Sequence, residues 1–244
     1  MADIDRAKQA VRERVWTLLE QSGAAEAGVR GYIPTFNGAD EAAERLTTLA
    51  AWQRSQVVKA VPDQAQLPVR MRALREGKIV YMAVPKLAEA PPFYLLDPRD
   101  LPVSACEAAD RAVAARIAPK VGVEEMRPVD LVVCGSVAVN QAGVRLGKGA
   151  GYSDIEVALL AEAGLLSDET TIVTTVHELQ VLDEELPEDE HDFHVDLIVT
   201  PERVIACTSP KRPTGLSWER MSPEKIAAIP VVAKRALSRD STPH

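Results

Sequence analysis

Short β-branched runs alternating with helical stretches are the feature that most constrains this chain. Residues 57–58, 79–84, 131–134, 171–176, 197–200 and 204–207 read as strands. Between them, 40–54, 69–76, 106–117 and 154–166 carry helical spacing. The strands are almost continuously apolar, which suits a sheet buried on both faces and not one wetted on one side. The expectation is a layered α/β/α domain with a largely parallel sheet, spanning 1–235 as a single unit with a frayed tail over 236–244. The stretch 85–102 holds Pro85, Pro91, Pro92, Pro98 and Pro102 and is expected to be a loop, as is 210–213.

Residues 3–20 read as an amphipathic helix with Ile4, Ala7, Val11, Val15, Leu18 and Leu19 along one stripe. Lys8 and Arg12 lie on its flank, where spacing alone favours solvated helix charge. The balance of 28 Lys+Arg against 36 Asp+Glu gives a net charge of −8, which excludes the clustered basic footprint of a duplex nucleic-acid binder. No apolar run is long enough to span a membrane, and the charged start lacks a signal-peptide core, so a cytoplasmic location is expected. Cys106, Cys134 and Cys207 are too scattered for a disulfide framework or a zinc site.

The densest chemical signal runs from Gly143 through Val144, Arg145, Leu146, Gly147, Lys148, Gly149, Ala150, Gly151, Tyr152 and Ser153 to Asp154. Glycines so spaced let backbone N–H groups approach an anion, and the helix expected near Asp154 adds its own N-terminal donors. The loop is not a Walker A sequence, since Gly149 follows Lys148 where Ser or Thr is needed. Nor is it the dinucleotide fingerprint. Arg145 and Lys148 inside the turn favour phosphate binding over a merely flexible turn.

A second constellation is Glu188-Asp189-Glu190-His191-Asp192-Phe193-His194-Val195-Asp196. A strand from Asp192 onward would place Asp192, His194 and Asp196 on one face, where a carboxylate could hold Mg²⁺ or merely edge the sheet. His191 and His194 differ in parity, which argues against a zinc pair. His177 reads equally as a ligand or a hydrogen-bonded core histidine.

Together these segments resemble the 5-formyltetrahydrofolate cyclo-ligase family, also called methenyltetrahydrofolate synthetases. Carrying the resemblance are Lys8 and Arg12 on the first helix, Gly77-Lys78 before a strand and then Pro85, the Arg145–Asp154 loop, and the segment LPEDEHDFHVDLIVT. The stretches AERL, SQVVKAVPD, PVR, DLVVCGSVAV and SPKRP are similar to the family's divergent branch of methenyltetrahydrofolate synthetase domain-containing proteins.

The resemblance implies an ATP- and Mg²⁺-dependent ligase of one-carbon metabolism with the layered α/β fold. It surrounds ATP with Lys8, Arg12, Arg145, Leu146, Gly147, Lys148, Gly149, Ala150, Gly151 and Tyr152. Of these, Arg145, Lys148 and Tyr152 take catalytic roles, while Asp154 and Asp192 hold the metal. Arg12, Asp63 and Gln66 fall to the reduced folate. Two departures stand out: Ser153 replaces a usual second Tyr, and the family's folate-binding Glu-x-x-Thr falls on Asp63 and Gln66. Those changes leave room for an enzyme acting on another cofactor precursor, and for a non-catalytic nucleotide-binding module.

Overall fold

Every residue of Val57–Ala60, Ile79–Ala83, Leu131–Cys134 and Thr171–Thr175 is buried, as a parallel sheet covered on both faces requires. The computed structural model describes residues 2–213 and 215–240. Its helices in chain order are α1 (Ala2–Gln21), α2 (Ala39–Thr47), α3 (Ala50–Arg54), α4 (Leu67–Arg75), α5 (Ala105–Ala108), α6 (Arg111–Ile117), α7 (Tyr152–Glu162), α8 (Pro223–Ala228) and α9 (Pro230–Asp240). The strands are β1 (Val57–Ala60), β2 (Ile79–Ala83), β3 (Phe93–Leu96), β4 (Lys120–Val121), β5 (Leu131–Cys134), β6 (Ala138–Asn140), β7 (Arg145–Leu146), β8 (Thr171–Thr175), β9 (Val181–Leu182), β10 (Leu197–Val199) and β11 (Val204–Ala206).

An eight-stranded sheet runs β11-β10-β8-β5-β1-β2-β3-β4, parallel from β10 to β2 with antiparallel strands at both edges. Apolar side chains of α7 and of the α8–α9 region cover one face, including Leu159, Leu160, Ile229 and Val232. Leu46 of α2, Val69 of α4 and Ala114 of α6 cover the other. A small sheet, β7-β6-β9, packs with α1 through Val15, Trp16, Leu19, Ala138 and Leu146. The layered α/β/α architecture is therefore observed. From β1 the chain passes through α4 to β2 on one side and later places β5, β8 and β10 on the other. The carboxyl ends of β1 and β5 thus flank the point where strand order reverses, the place where open α/β sheets leave a crevice.

Several expectations need correction. Within 85–102, β3 pairs antiparallel with β2 and buries Phe93 and Leu96; four strand-forming residues between prolines outweigh the prolines around them. The helix expected over 40–54 breaks where Leu49 adopts an extended conformation. The one expected over 106–117 breaks at Asp110, whose carboxylate accepts from the N–H groups of Ala112 and Val113 and starts a new helix. Residues 191–196 form no strand; pairing starts only at Leu197. The tail expected over 236–244 is helical to Asp240, and 241–244 lie outside the described residues. Among the described residues no helix is long and apolar enough to cross a membrane, and all three cysteines are free.

Candidate functional site

Helix α1 buries only part of the stripe that spacing suggests: Val15 and Leu19 are buried and Ile4 and Val11 half-buried. Ala7 and Leu18 are exposed, whereas Lys8 and Arg12 are buried at 7% and 9% exposure on the same side as Val15 and Leu19. Two long cations inside a helix–sheet contact need partners. The Lys8 ammonium pairs with the Asp192 carboxylate, and Arg12 Nε donates to Gly147 O at 2.7 Å. Burial lowers the Arg12 pKa, with Asp192, Asp5 and Asp154 partly opposing it. Both side chains face a cleft of about 310 Å³.

The floor of that cleft is the glycine turn between β7 and α7. Arg145 leaves β7 buried; its Nη2 donates to Asp154 Oδ1 at 2.7 Å, and its guanidinium carbon lies 4.1 Å from the centre of the Phe193 ring. Burial opposes its charge, but the carboxylates facing it, Asp154 foremost, outweigh that and raise its pKa. Its Nε is buried without a partner among the described residues. Gly151, at φ +67°, ends the turn in the left-handed region and caps α7, whose first N–H groups have no partner within the helix. Gly143 is required for a close approach: a Cβ there would come within 2.4 Å of Val195 O. That contact ties the turn to the segment carrying Asp192, and Val195 N donates to Gly143 O at 2.9 Å.

Lys8, Arg12, Arg145, Leu146, Gly147, Gly149, Gly151, Asp154 and Asp192 all line the cleft. Of the remaining expected residues, Lys148 turns away and donates to Asp63 Oδ1 at 3.1 Å. The Tyr152 ring lies 5.4 Å from the Lys225 ammonium. Lys225 itself donates to Ala150 O at 2.8 Å. Asp63 and Gln66 sit at the carboxyl end of β1, outside this cleft. Gln66 is fully buried, donates to Thr175 O and Oγ1, and leaves its own Oε1 without a partner among the described residues.

The expected shared polar face of Asp192, His194 and Asp196 is not present, because the backbone there follows no strand and each side chain finds different partners. His194 contacts Glu188 and Ser209 O, while Asp196 accepts from Arg212 and from Ile172 N. His177 accepts from Leu179 N and lies edge-on to Phe36, the hydrogen-bonded alternative of its two readings.

A model of the 5-formyltetrahydrofolate cyclo-ligase family matches residues 4–201. The chain belongs to this family. It is 38% identical over 237 residues to a methenyltetrahydrofolate synthase domain-containing protein of Mus musculus, covering 92% of this chain and 62% of that protein. It is also 38% identical over 236 residues to the Homo sapiens protein of the same name, covering 92% and 60%. The chain thus spans about three-fifths of the length of these curated relatives. Its fold resembles the NMR structure of an Aquifex aeolicus 5,10-methenyltetrahydrofolate synthetase, with a TM-score of 0.53 and 23% identity, covering 88% of this chain and 99% of that one.

Sequence reasoning missed the opposite wall of the cleft, built by Pro213, Leu216, Ser217, Arg220, Met221 and Lys225. The available signal was Ser222-Pro223, a helix-start pair directly ahead of Lys225; Ser222 does cap α8.

Proposed function

We propose that this chain is an ATP- and Mg²⁺-dependent cyclo-ligase that converts 5-formyltetrahydrofolate to 5,10-methenyltetrahydrofolate. The observation that carries the reading is the convergence of Lys8, Arg12, Arg145 and Lys225 on the glycine turn that opens α7, in a chain of net charge −8. Cations gathered against the overall charge focus a positive potential into one cleft. The residues fit a nucleotide's phosphates: Arg145 Nε is an orphaned buried donor, and the turn adds open backbone N–H groups at a helix N-terminus. Asp154 and Asp192 would hold Mg²⁺, as that ion takes one or two protein carboxylates. Bound there, the ion would neutralise phosphate charge.

The family's chemistry explains why such a site needs no nucleophile. A formyl amide is a poor electrophile because its nitrogen lone pair is delocalised into the carbonyl. Transfer of the terminal phosphoryl group to the formyl oxygen turns that oxygen into a leaving group. Folate N10 then attacks the formyl carbon and phosphate departs, closing the ring. Positioning and cationic stabilisation are what the protein must provide. Lys148 would exchange Asp63 for phosphate in this reading. Because that ion pair is partly exposed, Lys148→Ala is expected to weaken Mg-ATP binding only by about tenfold, read by calorimetry. Unchanged affinity would remove Lys148 from the phosphate site.

The placement of Asp63 and Gln66 supports a second reading, in which the acceptor is another cofactor precursor. Gln66 uses its amide on Thr175, and Asp63 is engaged by Lys148, so neither is presented to the cleft. Each pterin group left unpartnered costs roughly 1–3 kcal/mol. Slow methenyl formation is therefore expected, raised tens-fold by Asp63→Glu with Gln66→Thr, as followed by product absorbance with and without ATP. Turnover that the double change leaves unaltered would show that these positions do not select the acceptor. ADP release without methenyl product would favour the second reading. ATP binding without ADP release on any reduced folate would mark a non-catalytic nucleotide module.

A further inference from the structure

The family model matches residues 4–201, yet one wall of the cleft comes from residues 213–225. This wall is held firmly in place. Leu216 N donates to Glu162 Oε1 at 2.8 Å, Arg235 pairs with the same carboxylate, and Arg220 pairs with Asp189. Behind the wall, Ile229 and Val232 are fully buried in the core against the main sheet.

From this wall Lys225 enters the cleft half-buried. Its ammonium has three N–H donors; Ala150 O takes one, and among the described residues the others have no acceptor. Lys8, Arg145 and Arg220 each have a carboxylate partner. Lys225 has none within ion-pair range among the described residues, and burial lowers its pKa with only Asp154 opposing. It repeats the arrangement of Arg12: one cation from α1 donates to Gly147 O at 2.7 Å, and one from α8 donates to Ala150 O at 2.8 Å. The two bracket the glycine turn from opposite ends of the chain, each with donors to spare. On the same wall, the buried Ser217 hydroxyl has no partner among the described residues. Gly151 passes close to the ammonium: a Cβ there would come within 2.9 Å of Lys225 Nζ, the free end of that side chain.

We propose that Lys225 is a phosphate ligand of the nucleotide, supplied by a segment C-terminal to the residues that the family model matches. The inference rests on the nucleotide reading above. A polyanion would provide the counter-charge that the protein leaves out, which buried cations otherwise require.

The test is calorimetry of Mg-ATP with the full chain, its Lys225→Gln variant and its Lys225→Arg variant, alongside their unfolding midpoints. Gln can still donate to Ala150 O but carries no charge, whereas Arg keeps the charge. Lys225→Gln is expected to raise Kd by roughly tenfold or more, and Lys225→Arg to stay within about threefold, with unchanged midpoints. Wild-type affinity in Lys225→Gln would overturn the proposal while leaving the nucleotide site standing. Equal losses in both variants would also overturn it, reducing Lys225 to a tether for the turn. Failure of the unaltered chain to bind Mg-ATP would overturn the nucleotide reading and this assignment with it.

Discussion

Arg145→Lys is expected to lower kcat/KM for ATP by roughly 10²–10⁴-fold while the protein stays folded. Arg145 offers a rigid fork: Nη2 holds Asp154, the planar group stacks on Phe193, and Nε is left as a buried donor beside the cleft. Lysine keeps the charge but is a compact point donor that cannot reach a carboxylate and a phosphate together. Losing two charge-assisted contacts costs about 3–6 kcal/mol at about 1.5–3 each. At about 1.4 kcal/mol per decade, this gives the stated range. Steady-state ADP release measures the loss, and circular dichroism checks the fold. A kcat/KM within threefold of the unaltered chain would make Arg145 a packing residue that happens to line the cleft.

The parallel strands of the main sheet were legible because a doubly covered sheet draws apolar and β-branched residues to nearly every position; 57–58 and 131–134 show it directly, and 171–176 shows it with threonines among Ile172, Val173 and Val176. The glycine turn was legible for a similar reason: five glycines between 135 and 151 with Arg145 and Lys148 among them are hard to account for by folding alone. What failed was anything decided by a distant partner. Lys8 and Arg12 read as solvated because helical spacing reports which residues share a face, not what that face meets. Here it meets Asp192 and Gly147, both more than a hundred residues away. Asp192 read as part of a strand because alternation is a local pattern, whereas strand pairing needs a neighbour, and 191–196 run beside the Gly143 turn and Lys211 instead. The wall at 213–225 left the weakest trace. Its residues carry no repeat and no dense motif, and they become a site only when α9 packs on the sheet.

Lys59 and Glu156 show how the sheet holds the site in register, and breaking their pair is expected to cost as much stability as truncating a large core side chain. Lys59 lies in the middle of β1 with a side-chain exposure of 0%, and Glu156 lies in α7 at 6%; their charged groups meet in the core. Removing one partner of such a pair leaves a bare charge without water, at about 3–5 kcal/mol. Lys59→Met and Glu156→Leu should each cost about that much in urea unfolding, while the double variant should recover most of it, since two apolar chains of similar length then fill the space. Single costs below about 1 kcal/mol that simply add would show that the two groups do not depend on each other. The pair also bears on the site, because Glu156 follows Asp154 by two residues on the same helix. If the double variant regains stability but not turnover, the pair sets the position of α7 and so the Arg145–Asp154 contact. If turnover returns as well, packing alone positions the helix, and the ion pair is an alternative way of filling that part of the core.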